Sequence, residues 1–163
     1  MKSIFNLISN IYFLVKNKSL PGSLVIVCKE NRGKKTFLLV KSAHSNAITF
    51  PSGNLDPCED FFEAAIRELF EETGLKIKKD NLLLTPLIHS FKYKNLPFQI
   101  KSQQRVFFLL LTTKINYLNP QDKDIEWARW YNLDKTLSLL SYPELKLTFK
   151  KAVKYLKRYD QRI

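Results

Sequence analysis

Glu68, Glu71 and Glu72 stand at positions i, i+3 and i+4 of a stretch with helical periodicity, so three carboxylates share adjoining faces of one helix. Like charges at that spacing destabilise a bare helix, and ordinary helices set Lys or Arg there instead. A hard divalent cation removes the conflict, because Mg²⁺ takes oxygen ligands and commonly binds carboxylates together with substrate phosphates. The chemistry this points to is attack of water on a phosphorus–oxygen bond, with the cation neutralising phosphate charge and acidifying the water. For a glutamate cluster taken alone, a solvated acidic face with Arg67 as local relief is the simpler reading. The residues around the cluster decide between the two.

Asp60 followed three residues later by Glu63 makes a capping-box-like helix start, and Gly74 suits the left-handed position that closes a helix. Between them Phe62, Ala65, Ile66, Leu69 and Thr73 recur at helical spacing and give the helix one face to bury. From Gly53 to Leu75 the chain reads GNLDPCEDFFEAAIRELFEETGL, which fits G-x5-E-x7-R-E-U-x-E-E-x-G-U, with U aliphatic, at every position. That pattern resembles the signature of the Nudix hydrolases.

The resemblance covers Leu20 to the C-terminus and implies an α/β/α sandwich on a central mixed sheet, with the signature on a loop–helix–loop. It implies hydrolysis of nucleoside diphosphates linked to another group, with Mg²⁺ or Mn²⁺ as cofactor. Carried over by position, Glu68, Glu71 and Glu72 match metal ligands, and Gly53 lies where a backbone carbonyl joins the metal shell. Arg67 matches the residue that orients the glutamates, Glu59 the one that braces the loop, and Gly74 a structural position. The segment from Trp130 to Pro143 is similar to the end of the dinucleoside tetraphosphate hydrolase branch, in which an acid six positions before the Trp joins the metal site. Here that acid is Asp124; a carboxylate must also take the attacking water's proton, for which Glu68 or, outside the signature, Asp124 or Glu126 could serve, and Glu126 is a candidate for substrate contact as well. The same branch has W-x-F-P-K-G-H where this chain has Ile48-Thr49-Phe50-Pro51-Ser52-Gly53-Asn54, so an aromatic, a Lys and a His are replaced.

The rest of the chain must hold that helix in place. Leu20-Pro21-Gly22 reads as punctuation before the domain proper. Ser23–Lys29 and Thr36–Lys41 read as paired strands around a turn at Glu30–Lys35, and Ala47–Phe50 as a short strand feeding the motif. Leu82–Phe91, Arg105–Thr113 and Trp127–Tyr131 are further strands, and Asp134–Leu140 a short helix. A closing helix runs from about Pro143 to Tyr159, with Leu145, Phe149, Ala152, Val153 and Leu156 on its apolar stripe and Lys146, Lys150, Lys154, Lys157 and Arg158 opposite. Residues 1–19 form an amphipathic helix that packs on the domain or across a homodimer interface, ahead of one domain over 20–163.

At 163 residues and 45% hydrophobic content the chain builds one substantial core and is not a disordered segment. The net charge of +12 suits an anionic partner, such as nucleotide phosphates or RNA. No run is long enough for stable membrane insertion, and nothing points to DNA. Cys28 and Cys58 have no metal-ligand spacing, which fits a reduced cytoplasmic compartment. For substrate contacts the candidates are Arg105, heading an apolar strand, and Tyr93 and Phe98, whose rings suit either base stacking or core packing. His44 and His89 have no His or Cys partner nearby and read as ordinary polar residues.

Three functions compete. The leading one is a Mg²⁺-dependent pyrophosphohydrolase of nucleoside polyphosphates, dinucleoside polyphosphates such as diadenosine tetraphosphate among them. A second places the substrate at the 5′ end of RNA, as in decapping, motivated by the charge and the basic closing helix. The third is a nucleotide-binding sensor of the same fold, against which the complete glutamate set argues.

Overall fold

A computed structural model of the protein describes residues 19–93, 100–111 and 117–160. The amphipathic segment 1–18 and Phe98 lie outside the described residues. Among the described residues seven strands form one mixed sheet: β1 (Ser19–Asn31), β2 (Lys34–Ser42), β3 (Ile48–Thr49), β4 (Ser52–Asn54), β5 (Leu82–Lys92), β6 (Lys101–Leu111) and β7 (Ile125–Asn132). The helices are α1 (Phe61–Thr73), α2 (Leu133–Leu139) and α3 (Pro143–Asp160), with a short 3₁₀ turn at Lys79–Asn81. The main path runs β3-β2-β1-β6-β5, with β4 added to β1 and β7 to β2. β1 and β6 are parallel, and the other pairs are antiparallel.

The central strands are apolar on both faces because both faces are covered. Leu24, Ile26 and Cys28 of β1, with Val106 and Phe108 of β6, face a core closed by Leu145, Phe149, Ala152 and Leu156 of α3. The alternate residues Val25, Val27, Phe107 and Leu109 face a second core closed by Ala65 and Leu69 of α1. The period-two alternation thus splits one continuous hydrophobic run between two layers of helix, giving the α/β/α sandwich. Phe149 anchors the first core with its ring 4.8 Å from that of Phe37 and 5.0 Å from that of Phe50.

Two local expectations change. The β1–β2 turn contracts to Arg32-Gly33, both at positive φ (49° and 76°), the two-residue geometry that matches strand twist. Leu20-Pro21-Gly22 is no linker but part of β1, paired with β6 from Ser19 onward. Pro21 has no N–H to give, yet its carbonyl accepts from Leu55 N at 3.1 Å. No helix among the described residues is long and apolar enough to cross a membrane.

What positions the site is a fork along one edge of β1. Residues 28–31 pair with β2, whereas residues 22–24 pair with β4. At the fork, the backbones of Gly22 and Gly53 come so close that a Cβ on Gly22 would lie 2.5 Å from the Gly53 carbonyl oxygen and 2.9 Å from Gln104 Cγ. Gly22→Ala should therefore cost about 1–3 kcal/mol through overpacking against backbone that cannot yield. Urea unfolding checks this; a midpoint equal to the parent's would show that β4 can move away from β1.

Candidate active site

α1 delivers the glutamates, and its ends are tightly defined. Asp60 Oδ1 accepts from the N–H groups of Phe62 (2.7 Å) and Glu63 (2.8 Å), while Glu63 Oε2 accepts from Asp60 N (2.8 Å), completing the capping box. Gly74 closes the helix at φ 78°, and a side chain there would overlap the Asn119 carbonyl. The C-terminal carbonyls that a helix leaves unsatisfied are taken by the loop before β7. Asn119 N donates to Thr73 O (3.0 Å), and Gln121 N and Asp122 N both donate to Glu71 O (2.7 and 2.8 Å).

Arg67 holds the acidic side chains together. Its Nε donates to Glu59 Oε1 (2.8 Å), its Nη2 to Glu59 Oε2 (2.9 Å) and Asn54 O (2.9 Å), and its Nη1 to Glu68 Oε1 (2.8 Å) and Glu71 Oε2 (3.1 Å). All five guanidinium N–H groups are used, which a Lys could not reproduce. Glu59 Oε2 also accepts from Asp56 N (2.8 Å), so the loop bracing implied by the signature takes a concrete form. Burial raises the Glu59 pKa, but the Arg67 and Asp56 hydrogen bonds outweigh it and leave the group below the usual carboxylate range. Arg67 is held fully protonated, chiefly by Glu59.

Glu68 and Glu72 behave oppositely. Burial raises Glu68 despite Arg67. Glu72 is raised further by burial, then by the charge of Glu68, with Asp122 and Glu71 adding to it. Its only hydrogen bond among the described residues comes from Ser52 N at 3.0 Å, and it has no ion pair there. The Glu68 carboxylate lies against Gly53, where any side chain would overlap it. As placed, no three acidic, His or Cys side chains among the described residues converge on a single point suited to a metal. The donor set nonetheless fits a hard cation: every group is a carboxylate or carbonyl oxygen, and the one arginine is already saturated.

The other sequence candidates disperse. Asp124 Oδ1 pairs with His44 Nε2 at 2.9 Å, and Glu126 pairs with Lys41 Nζ at 2.6 Å. The loop acid whose charge acts on Glu72 is Asp122, two residues earlier, whose Oδ1 accepts from Asp124 N (2.8 Å). Arg105 lies with its guanidinium 5.6 Å from the Phe61 ring centre, on the α1 side of the sheet. On the α3 side, a cleft of about 670 Å³ is lined by Thr49, Ser52, His89, Phe91, Tyr93, Gln104 and Tyr142, among others. Tyr93 is thus in a cleft, and Asn54 Nδ2 donates to its hydroxyl at 3.3 Å. Ser52 belongs to both places: its side of β4 lines the cleft and its N–H holds Glu72. A backbone N–H leaves no trace in residue types, so Ser52 was not readable beforehand. Gln104, His89 and Tyr142 had a fainter signal: a polar residue within each of two strands and an aromatic just before α3.

Glu72 sets a testable cost. A carboxyl whose folded pKa exceeds its unfolded value binds the proton more tightly in the fold, so stability falls as pH rises from the ordinary carboxylate range through the folded pKa, and stays reduced above it. In chelator-treated protein Glu72→Gln, which keeps an acceptor for Ser52 N, should raise the melting temperature at pH 8 and lose that advantage towards pH 4. Differential scanning calorimetry at the two pH values reads this directly. A variant less stable than its parent at pH 8 would show that Glu72 is already compensated.

Comparison with known proteins identifies the family to which the fold belongs. Residues 19–153 match the NUDIX domain model. The asymmetrical bis(5'-nucleosyl)-tetraphosphatase of Caenorhabditis elegans is 29% identical over 127 residues, covering 74% of this chain and 85% of that protein. An RNA pyrophosphohydrolase from Histophilus somni (strain 2336) is 30% identical over 122 residues, covering 68% of this chain; the match spans 62% of the relative's length. Among solved structures, a C. elegans Ap4A hydrolase binary complex superposes with a TM-score of 0.70 at 21% identity, covering 85% of this chain and 98% of that one. The E. coli dihydroneopterin triphosphate pyrophosphohydrolase has the same fold, with a TM-score of 0.68 at 14% identity over 80% of this chain and 92% of that one. With the signature complete and its helix at the fork of a mixed sheet, the chain belongs to the Nudix family of pyrophosphohydrolases.

Proposed function

We propose that this enzyme hydrolyses a phosphoanhydride bond of a nucleoside polyphosphate, with a dinucleoside tetraphosphate as the leading substrate class. The observation that carries the reading is the buried Glu72 carboxyl, held by Ser52 N beside Glu68, set next to an aromatic-walled cleft that Ser52 also lines. Glu68, Glu71, Glu72 and the Gly53 carbonyl would hold Mg²⁺ or Mn²⁺, which supplies phosphate neutralisation and a more acidic water. Arg67 orients Glu68 and Glu71, and Glu59 fixes Arg67. A glutamate of this set takes the proton from the attacking water, since Asp124 and Glu126 are engaged by His44 and Lys41. Phe91, Tyr93 and Tyr142 offer ring faces to a base, while the phosphates extend past Ser52 towards the glutamates.

A second reading, hydrolysis at an RNA 5′ end, is favoured by the exposed Lys150, Lys154 and Lys157 on α3, whose first turn lines the cleft. RNA engaging that face would show affinity falling steeply with salt, as counterions are released. A sensor without catalysis has no use for a carboxylate as costly to bury as Glu72.

A panel of dinucleoside polyphosphates, nucleoside triphosphates and 5′-triphosphorylated RNA, with Mg²⁺ or Mn²⁺ and product identification, tests these readings. Turnover of dinucleoside tetraphosphates with little salt dependence is expected. Replacing Glu72 or Glu68 by Gln should lower kcat by roughly 10²–10⁴-fold, the range for removing an acid–base or electrostatic group. No turnover of any nucleotide, or full activity in Glu72→Gln, overturns the assignment.

A further inference from the structure

His89 and Gln104 are directly opposed residues of β5 and β6, so their side chains stand together on the α3 face of the sheet. Both line the cleft, and both are nearly enclosed, at 5% and 4% exposure. A buried amide normally finds partners. That of Gln104 makes no hydrogen bond among the described residues, and its stem is fixed by packing over Gly22. The side chain is nearly enclosed, yet its amide atoms are not sealed off, so they meet the cleft with their hydrogen-bonding capacity open to a ligand.

His89 complements it through a fixed tautomer. Its Nδ1 lies 2.9 Å from Thr148 Oγ1, and that hydroxyl lies 3.0 Å from the carbonyl oxygen of Glu144 on the preceding turn of α3. A carbonyl can only accept, so the single hydroxyl proton points to Glu144 O, and Thr148 must accept from Nδ1–H. Burial, outweighing the charge of Glu144, keeps the imidazole neutral by lowering its pKa. A neutral ring protonated on Nδ1 leaves Nε2 as an acceptor.

The cleft floor therefore offers two acceptors, Gln104 Oε1 and His89 Nε2, and one donor group, the Gln104 amide NH₂. We infer that His89 and Gln104 select a nucleobase whose edge sets an exocyclic amine beside an unprotonated ring nitrogen, and that Thr148, by holding the histidine tautomer, is the positioning residue for that choice. Adenine and cytosine present that edge: two amine hydrogens meet the two acceptors, and the ring nitrogen accepts from Gln104. On the Watson–Crick edge, hypoxanthine, guanine and uracil pair with Gln104 only with its amide turned round, and their carbonyl oxygen then faces His89 Nε2, acceptor against acceptor, which leaves that contact unpaired. The inference rests on the nucleotide-hydrolase reading in assigning the cleft to a base.

The test is binding of AMP against IMP, and of CMP against UMP, to the full chain with Mg²⁺, alongside turnover of the matched diadenosine and diinosine tetraphosphates. AMP and IMP differ only at the amine and its tautomeric proton. One lost hydrogen bond with a buried acceptor left unpaired predicts about ten-fold weaker binding of IMP, and a similar ratio in kcat/KM. The CMP and UMP arm decides whether purines alone or both amino bases are taken. Gln104→Leu should bring the AMP:IMP ratio close to one. Thr148→Val should let the ring take the Nε2–H tautomer, visible in imidazole ¹⁵N shifts, and lower the ratio, while Thr148→Ser should preserve both. A ratio near one in the parent, no binding of either nucleotide, or a Thr148→Val protein with a flipped tautomer and an unchanged ratio overturns the inference. Selective AMP binding without turnover of any nucleotide would instead refute the hydrolase reading and leave the base selectivity standing.

Discussion

The guanidinium of Arg67 is the constraint around which the chemistry is built. One cation with five donors gathers Glu59, Glu68, Glu71 and the Asn54 carbonyl into one network. Because the donors are all used, the balance of charge is fixed as well. Arg67 has no donor left for Glu72, which is buried beside Glu68 and, among the described residues, is held by one backbone N–H, that of Ser52. A charge left in that state is expensive unless a further cation arrives. The network thus does two jobs: it holds two carboxylates in known directions, and it withholds compensation from the third.

That network depends on backbone approach more than on side-chain packing. Gly22 and Gly53 meet where β1 forks between β2 and β4, and each lacks a side chain because the space is taken, by the Gly53 carbonyl in one case and the Glu68 carboxylate in the other. Without the fork, β4 could not present Ser52 N to Glu72 and the Asn54 carbonyl to Arg67 together. The far end of α1 is tied by the loop before β7, whose N–H groups occupy the carbonyls of Glu71 and Thr73. The same loop brings Asp122 near Glu72, so helix capping and the electrostatics of the site are parts of one contact.

The sequence revealed the α1 site well because its signals are local. The Asp60–Glu63 box, Gly74 and the i, i+3, i+4 glutamates all act within one helix, and each is found as the spacing implies. Strand positions followed from apolar runs, and the double covering of β1 and β6 explains why those runs did not alternate. What remained hidden is non-local. Gly22 looked like a linker glycine because the carbonyl that requires it lies thirty-one positions away at Gly53. Asp124 stands at the expected distance from Trp130 and meets His44, while the presence of a second loop acid, Asp122, whose charge acts on Glu72, has no signal in spacing from that Trp. His89 looked ordinary because the partner that fixes its tautomer belongs to another layer.

The division of labour across the sheet follows from the two-layer core. Bond cleavage is assigned to α1 and the β4 edge, whereas the cleft is walled by β5, β6 and the first turn of α3 on the other face. Successive residues of a strand point to opposite faces, so Arg105 lies over Phe61 on the α1 side while its neighbour Gln104 lines the cleft. Substitutions on the cleft side can therefore alter the choice of substrate without touching Arg67 or the glutamates. Among the described residues the two regions meet at β4, where Ser52 N holds Glu72 and Asn54 donates to Tyr93. The Ile48–Asn54 segment, where this chain departs from W-x-F-P-K-G-H, spans β3 and β4, so those departures fall on the strands beside both the cleft and the glutamates while the signature helix stays complete.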